Sequence, residues 1–261
     1  MANPSGKTAL ITGASVGIGR DLAELFARDG HGLVLVARNQ SQLEDLARRW
    51  REQYGVEVLV LPKDLSAPDA AGQIFDQVQS AGMAIEYLVN NAGFGSIGSF
   101  ARAEVAGQLA MIQVNIAALT HLTRLFLPAM LGRGSGRIMN VGSVAGFVPG
   151  AYMAVYYASK AYVLSFSEAM ATEVRGSGVT VTVLCPGPTA TEFQKRAGIV
   201  RGRLMSNRMS SQRVALLGYR AMMRGRRVAV TGLGNRILAF LPRLVPRGLV
   251  ANMTGKFNRG R

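Results

Sequence analysis

The stretch "ITGASVGIGR", Ile11 to Arg20, admits two readings that share one local shape. Taken as Gly13-Ala14-Ser15-Val16-Gly17, it matches G-x-S-x-G, a strained strand-to-helix turn that exposes a serine for acyl transfer. Taken as Thr12-Gly13 followed by Gly17 and Gly19, it is a glycine-rich turn whose backbone N–H groups approach a pyrophosphate at a helix N-terminus. The second reading assigns Gly13, Ser15, Gly17, Ile18 and Gly19 to a phosphate cradle. The surrounding chain has to decide between them.

Outward from that turn, apolar runs alternate with amphipathic stretches, as in a parallel sheet covered by helices on both faces. Strands are predicted at Thr8 to Thr12, Leu33 to Ala37, Glu57 to Leu61, Tyr87 to Asn90, Arg137 to Val141 and Thr180 to Cys185. Helices are predicted near Gly19 to Arg28, Gln40 to Tyr54, Ala67 to Ala81, Val105 to Leu131 and Tyr152 to Arg175. Leu33-Val34-Leu35-Val36-Ala37 is apolar at successive positions, as a strand buried on both faces should be. The 261 residues, 49% of them apolar, are read as one domain, an α/β fold with a doubly wound parallel sheet. Its ligands would bind outside the carboxyl ends of the strands.

An acyl-transfer elbow needs an acid and then a histidine further along the chain. Only His31 and His121 are present. His31 follows Ser15 by one helix and would lie at that helix's far end, whereas His121 falls in an apolar helical run that suggests a packed core histidine. The phosphate cradle needs no partner except the helix it opens, and Ile18 to Phe26 supplies that. The cradle is therefore preferred. Where dinucleotide folds place an acid for the ribose 2′-OH, at the end of the second strand, the sequence has Ala37-Arg38. A guanidinium there suits a 2′-phosphate and favours NADP over NAD, the plainer alternative being a solvated surface arginine.

Further on, Tyr156 and Lys160 in "YYASK" are four apart, so on a helix they share a face. A tyrosine is a poor base at neutral pH, and lowering its pKa by about 3 units takes about 4 kcal/mol. An ammonium about 5 Å away supplies roughly 3 kcal/mol at an effective dielectric near 20, and a nicotinamide's positive charge can add to it. The pair can thus serve proton transfer to or from a carbonyl oxygen. Tyr-x-x-x-Lys also arises by chance on exposed helix faces, so its meaning rests on context.

The context is an ordered series: Thr12-Gly13-x-x-x-Gly17-x-Gly19, Asp64-Leu65, Asn90-Asn91-Ala92-Gly93, Asn115, Ser143, Tyr156-x-x-x-Lys160 and Pro186-Gly187-x-x-x-Thr191. In this the chain resembles the short-chain dehydrogenase/reductase family, over most of the first 195 residues. The resemblance implies a Rossmann fold and hydride transfer between a nicotinamide and a carbon, with no metal. It implies that Tyr156 is the general acid in ketone reduction, with Lys160 depressing its pKa and binding the nicotinamide ribose. Ser143 would hydrogen-bond the reacting oxygen, and Asn115 would hold a water in a proton relay. Asp64 and Leu65 would flank the adenine, Asn91, Ala92 and Gly93 would line the cofactor, and Pro186, Gly187, Thr189 and Thr191 would contact its carboxamide and phosphates. Val16 departs from the basic residue that some NADP-preferring members carry in the turn, leaving Arg38 as the main determinant. A likeness of the C-terminal region to bacterial acyl and long-chain ketone reductases suggests a hydrophobic ketone or 3-oxoacyl substrate, in a pocket near Phe94, Phe147, Val148, Tyr152, Met153 and Phe193.

The net charge of +15 is unevenly placed: residues 1 to 192 hold 14 basic and 15 acidic side chains, and 193 to 261 hold 16 basic and none acidic. Such a tail suggests an anionic partner. Residues 188 to 227 are read as a substrate lid and 228 to 261 as a basic amphipathic extension, with a helical patch at Val214 to Met223 and a short strand at Arg227 to Val230. Arginines alternating with large aliphatics point to an anionic membrane surface, and the alternative to a working enzyme is a membrane-associated NADP-binding scaffold or sensor. Specific nucleic-acid binding is not expected, because aromatics are few in the tail. One cysteine, Cys185, and no export signal suggest a cytoplasmic protein, which the basic tail could hold at the membrane periphery, and the resemblance adds a homo-oligomer.

Overall fold

The computed structural model describes residues 6–193, 197 and 208–259. The first strand, β1 (Thr8–Thr12), leads through the glycine turn into α1 (Gly17–Arg28), and the alternation continues with β2 (Gly32–Ala37), α2 (Gln40–Tyr54), β3 (Val58–Pro62) and α3 (Ala70–Ser80). The second half runs β4 (Ile85–Asn90), α4 (Val105–Ile112), α5 (Leu119–Arg133), β5 (Gly136–Val141), α6 (Ala154–Glu173) and β6 (Val179–Cys185). After it come β7 (Thr189–Ala190), β8 (Met209–Ser210), α7 (Ser211–Met223), β9 (Val228–Val230), α8 (Leu233–Phe240) and α9 (Arg247–Arg259). Seven strands form one parallel sheet in the order β3-β2-β1-β4-β5-β6-β9, while β7 and β8 pair separately.

Side-chain alternation divides the core between the two faces of this sheet. Ile11, Leu33 and Leu35 pack with Leu22, Phe26, Trp50 and Met222 of α1, α2 and α7. Their neighbours Leu10, Val34 and Val36 pack on the other face with Ile74, Leu122 and Phe126 of α3 and α5. Each strand therefore needs apolar residues at consecutive positions, which is why β1 and β2 read as unbroken runs. The continuous helical stretch Val105–Arg133 is long and apolar enough to cross a membrane by length and composition alone. In this fold Leu122, Phe126 and Met130 on that stretch are buried in the core instead.

Three sequence expectations change. The helix expected from Tyr152 begins at Ala154, because Tyr152 has φ +64° and Met153 is the N-cap. The long helix expected from Val105 is interrupted by a π-helical segment, Gln113–Ala118, which breaks the i to i−4 ladder around Asn115. The lid expected over 188–227 does not hold for 211–223: α7 buries Val214, Ala215 and Met222 against α1, so this arginine-rich segment has a core-facing stripe. Residues 194–196 and 198–207 of that expected lid lie outside the described residues. The strand expected at Arg227 to Val230 is β9, which pairs with β6 through Val183, Leu184 and Cys185.

The sheet reverses its winding between β1 and β4, which are neighbours although α1 to α3 separate them in sequence. The loops leaving these two strands diverge and open a crevice at their carboxyl ends. Both the glycine turn and the residues from Asn91 onward lie there.

Candidate active site

The glycine turn occupies the β1 end of the crevice. Gly13 has φ +64°, and a Cβ built on it would lie 2.8 Å from Nδ2 of Asn91; on Gly19 it would lie 2.3 Å from the Gly13 carbonyl oxygen. No larger side chain fits either position without moving backbone. Ser15, Gly17 and Ile18 are half-buried, and Val16 at the N-cap of α1 provides no side-chain acceptor for the first-turn N–H groups. A helix N-terminus with this lining fits a pyrophosphate. His31, in contrast, is buried beside Phe26 and Tyr87 at the other end of α1, so the acyl-transfer reading of Ser15 lacks its base.

Asn91 is a structural tie. Its Nδ2 donates to the carbonyls of Thr12 (2.8 Å) and Gly13 (3.2 Å), while its own N–H and that of Ala92 donate to Thr12 Oγ1, both at 3.0 Å. The sequence reading missed Thr12 in this role. Gly93 follows, against Asn115 and Lys160: a Cβ there would lie 3.0 Å from Oδ1 of Asn115 and 3.4 Å from Nζ of Lys160.

At the far edge of the turn, Arg38 is exposed after β2, with its Nη1 3.9 Å from Oδ2 of Asp64 after β3. Asp64 Oδ1 accepts from the N–H and hydroxyl of Ser66. Leu65, expected against an adenine, is buried in the core packing of α3, so its side chain supports that edge from within.

The reactive groups gather at the ends of β4, β5 and β6. Ser143 caps the 3-10 turn Val144–Phe147, its Oγ accepting from the Ala145 N–H at 3.1 Å, and its hydroxyl is near enough to the Tyr156 phenol to lower the phenol's pKa. Tyr156 lies in the first turn of α6 against Phe193, with ring centroids 5.2 Å apart. Gly95 makes room for both rings: a Cβ there would lie 3.0 Å from each. Lys160, one turn further, is buried, with Nζ 5.9 Å from the Tyr156 centroid and 2.8 Å from the Val141 carbonyl oxygen that accepts from it.

Burial pushes the Tyr156 phenol up to about 12, against a smaller lowering from the Ser143 hydrogen bond. Burial also pulls the Lys160 amine down to about 8. The lowering by Lys160 expected from the sequence is not seen in the chain alone, where burial is the largest influence on the phenol.

Asn115 sits in the π segment, and its side chain is committed to the chain itself. Oδ1 accepts from the Phe94 N–H (3.1 Å); Nδ2 donates to the Phe94 carbonyl and to Ser159 Oγ, each at 3.0 Å. Ser159 in turn donates to the Tyr156 carbonyl. Asn115 thus joins the β4 loop to the helix that carries Tyr156, a connection with no sequence signal. His121, expected in the core, is exposed on α5.

The last part of the crevice comes from the chain after β6. Pro186 accepts from the Val144 N–H, Gly187 lies against Asn235, and the Thr189 hydroxyl donates to the Gly187 carbonyl. Thr191 reaches the glycine turn, its Cγ2 3.2 Å from where a Cβ of Gly17 would stand. The pocket expected near the active-site loops divides: Phe193 and Tyr156 face each other, Met153 is buried, and Phe94 and Phe147 pack onto the core.

A glycine-lined helix start, an arginine at the end of β2 and a Ser-Tyr-Lys group at the ends of β5 and α6 define a nucleotide-cofactor oxidoreductase. The model of the family described as short chain dehydrogenase matches residues 7–199. The chain is 37% identical over 216 residues to ketoacyl reductase HetN of Nostoc sp., covering 79% of this chain and 75% of that protein. It is 34% identical to very-long-chain 3-oxoacyl-CoA reductase-A of Danio rerio, over 73% of this chain but only 60% of that longer protein. A short-chain dehydrogenase from Sphingobium yanoikuyae, solved in complex with NADPH, superposes with a TM-score of 0.82 at 36% identity, covering 93% and 94% of the two chains. Another, from Burkholderia phymatum, was solved with NAD (TM-score 0.83, 28% identity, covering 94% and 95%). The chain belongs to the short-chain dehydrogenase/reductase family, and it is an oxidoreductase that uses a nicotinamide cofactor.

Proposed function

We propose that the protein is an NADPH-dependent carbonyl reductase acting on a hydrophobic ketone or a 3-oxoacyl compound. The observation that carries this reading is the convergence of Ser143, Tyr156 and Lys160, with Lys160 Nζ 5.9 Å from the Tyr156 ring centroid and the buried phenol pushed up to about 12. At pH 7 such a phenol is ionised in only about one molecule in 10⁵, so it stands protonated, the form that carbonyl reduction uses. Reduction of a carbonyl needs that proton at the oxygen, whereas alcohol oxidation would need the phenolate.

A bound NADPH would supply the hydride to the carbonyl carbon. The residues of this chain would hold the rest. The glycine turn and the start of α1 would take the pyrophosphate, and Arg38 the 2′-phosphate, for which its planar fork is suited. Lys160 would hold the nicotinamide ribose, and Thr189 and Thr191 would border the carboxamide and phosphates. Ser143 would hold the substrate oxygen beside the Tyr156 hydroxyl, with Asn115 positioning the loop at Phe94. The apolar substrate class draws on Phe193 against the Tyr156 ring and on the relatives named ketoacyl and 3-oxoacyl-CoA reductases. A homo-oligomer is supported by an unpartnered apolar face on α4, where Val105, Leu109 and Ile112 are exposed at helical spacing. The scaffold alternative has no comparable support.

The test is a carbonyl panel of 3-oxoacyl thioesters and bulky ketones, followed by loss of reduced-nicotinamide absorbance. Consumption of NADPH in preference to NADH is expected, and Tyr156→Phe should lose about 10³-fold in turnover while binding NADPH as before. Consumption of neither cofactor with any member of the panel overturns the reading.

A further inference from the structure

The C-terminal helices have two unlike sides. Inward, they are bonded to the loops of the site. Thr254 donates to the Pro149 carbonyl (2.6 Å), Asn258 to that of Ala151 (2.9 Å), and Arg259 Nε to the Tyr152 hydroxyl (2.7 Å). Helix α8 packs on the 3-10 turn that Ser143 caps, and its Asn235 lies against Gly187. Both helices are therefore attached to the segments that flank Tyr156.

Outward, the same helices present aliphatic side chains to solvent. Leu233, Ile237 and Leu241 recur at intervals of four, with Leu244 beyond them and Leu249 and Met253 on α9; Leu233 is 73% exposed and Leu244 70%. Exposed cations, Arg236, Arg247, Lys256 and Arg259, lie among them. No acidic residue follows Glu192 anywhere in the sequence.

We infer that this C-terminal cap docks on an anionic lipid bilayer and so holds the loops beside Tyr156 at the membrane surface. Aliphatics exposed among cations on a short helix match the headgroup boundary, which takes up apolar side chains and anionic charge partners together. Charge complementarity selects this occupant. A second copy docked through the same patch would set two cationic clusters face to face with no carboxylate between them. A nucleic acid would satisfy the cations and leave the leucines in water. The orientation of the site toward lipid rests on the reductase reading; the docking itself does not.

Full-length protein is mixed with phosphatidylglycerol vesicles or with phosphatidylcholine vesicles, without cofactor or substrate, and sedimented. It should pellet with the anionic vesicles and stay in solution with the zwitterionic ones. Combined Leu233→Gln, Ile237→Gln and Leu241→Gln should lower partitioning by about tenfold or more. Arg247→Gln with Lys256→Gln should lower it by roughly fivefold per charge, without touching the aliphatic face. Unchanged thermal melting and unchanged mass in solution would accompany the loss. Wild-type protein that stays in the supernatant, pellets equally with both lipids, or binds as well after either set of substitutions overturns the inference. So does a fall in solution mass of the leucine variant, which would assign the patch to a second copy. None of these outcomes depends on turnover, so a failure here leaves the reductase reading standing.

Discussion

Lys160 lies beneath the Tyr156 ring, with Nζ 5.9 Å from its centroid, and spends a 2.8 Å hydrogen bond on the Val141 carbonyl. The ammonium is thus tied to the end of β5, where a cofactor ribose would approach it, and burial holds its pKa near 8. The positive charge is present below that pH and lost as the pH rises through it. NADPH affinity should therefore fall as the pH passes 8, reaching about a tenfold loss one unit above that pKa if the ammonium form is the one that binds. Fluorescence titration of NADPH from about pH 6.5 to about 9.5 checks this limb. Lys160→Met should bind weakly with a flat profile over the same range.

The same depressed pKa makes a prediction about folding. An amine titrating near 8 in the folded chain and at 10.5 when unfolded binds fewer protons in the folded state between those values. The associated stability is present above the unfolded value and is lost as the pH falls through 8. Wild-type stability relative to Lys160→Met should rise between those pH values, by at most about 3.4 kcal/mol. Urea unfolding of both proteins across this range measures the difference, and a pH-independent gap would refute the burial of a titrating amine.

Arg38 faces solvent 3.9 Å from Asp64, an arrangement too open to hold the guanidinium in place. The side chain is free to turn toward a 2′-phosphate, and its partner carboxylate would remain near the ribose edge. Arg38→Ala should weaken NADPH binding by about ten- to a hundredfold, the size of a lost charge-assisted contact, and leave NADH binding nearly unchanged. Isothermal titration with the two cofactors separates the cases. Equal loss for both would mean that Arg38 shapes the β2 loop without reading the phosphate.

The parts of this fold that were legible in the sequence are those whose environment repeats. Leu33 to Ala37 had to be apolar throughout because β2 has helices on both faces, and the glycines at 13 and 19 announce a backbone approach that a Cβ would block. Tyr156, Lys160 and Ser143 were found through spacing and resemblance, and they do converge. What the sequence hid depends on contacts between distant segments. Tyr152 looks like ordinary helix until its φ of +64° and its bond from Arg259 are known. Asn115 carries no mark of its link through Ser159 to the Tyr156 carbonyl, and a π segment leaves no periodic trace over six residues. The helix Ser211–Met223 was legible as a patch from Val214 to Met223, but its burial against α1 was not.

Two glycines in helices give opposite signs for one substitution. At Gly19, in the first turn of α1, the new methyl of Gly19→Ala would stand 2.3 Å from the Gly13 carbonyl oxygen and 2.4 Å from the Asn91 amide. Both are held in place, the amide by its bonds to Thr12 and Gly13. Relief requires the turn to open, so the cost should be at least about 2 kcal/mol, with pyrophosphate binding lost as well. At Gly72, inside α3, a Cβ meets nothing within 4 Å. Gly72→Ala removes backbone freedom from the unfolded chain and should stabilise by about 0.5–1 kcal/mol. Thermal unfolding of the two variants beside the parent measures both. Equal and small shifts would mean that the glycine turn yields more easily than its packing against Asn91 implies.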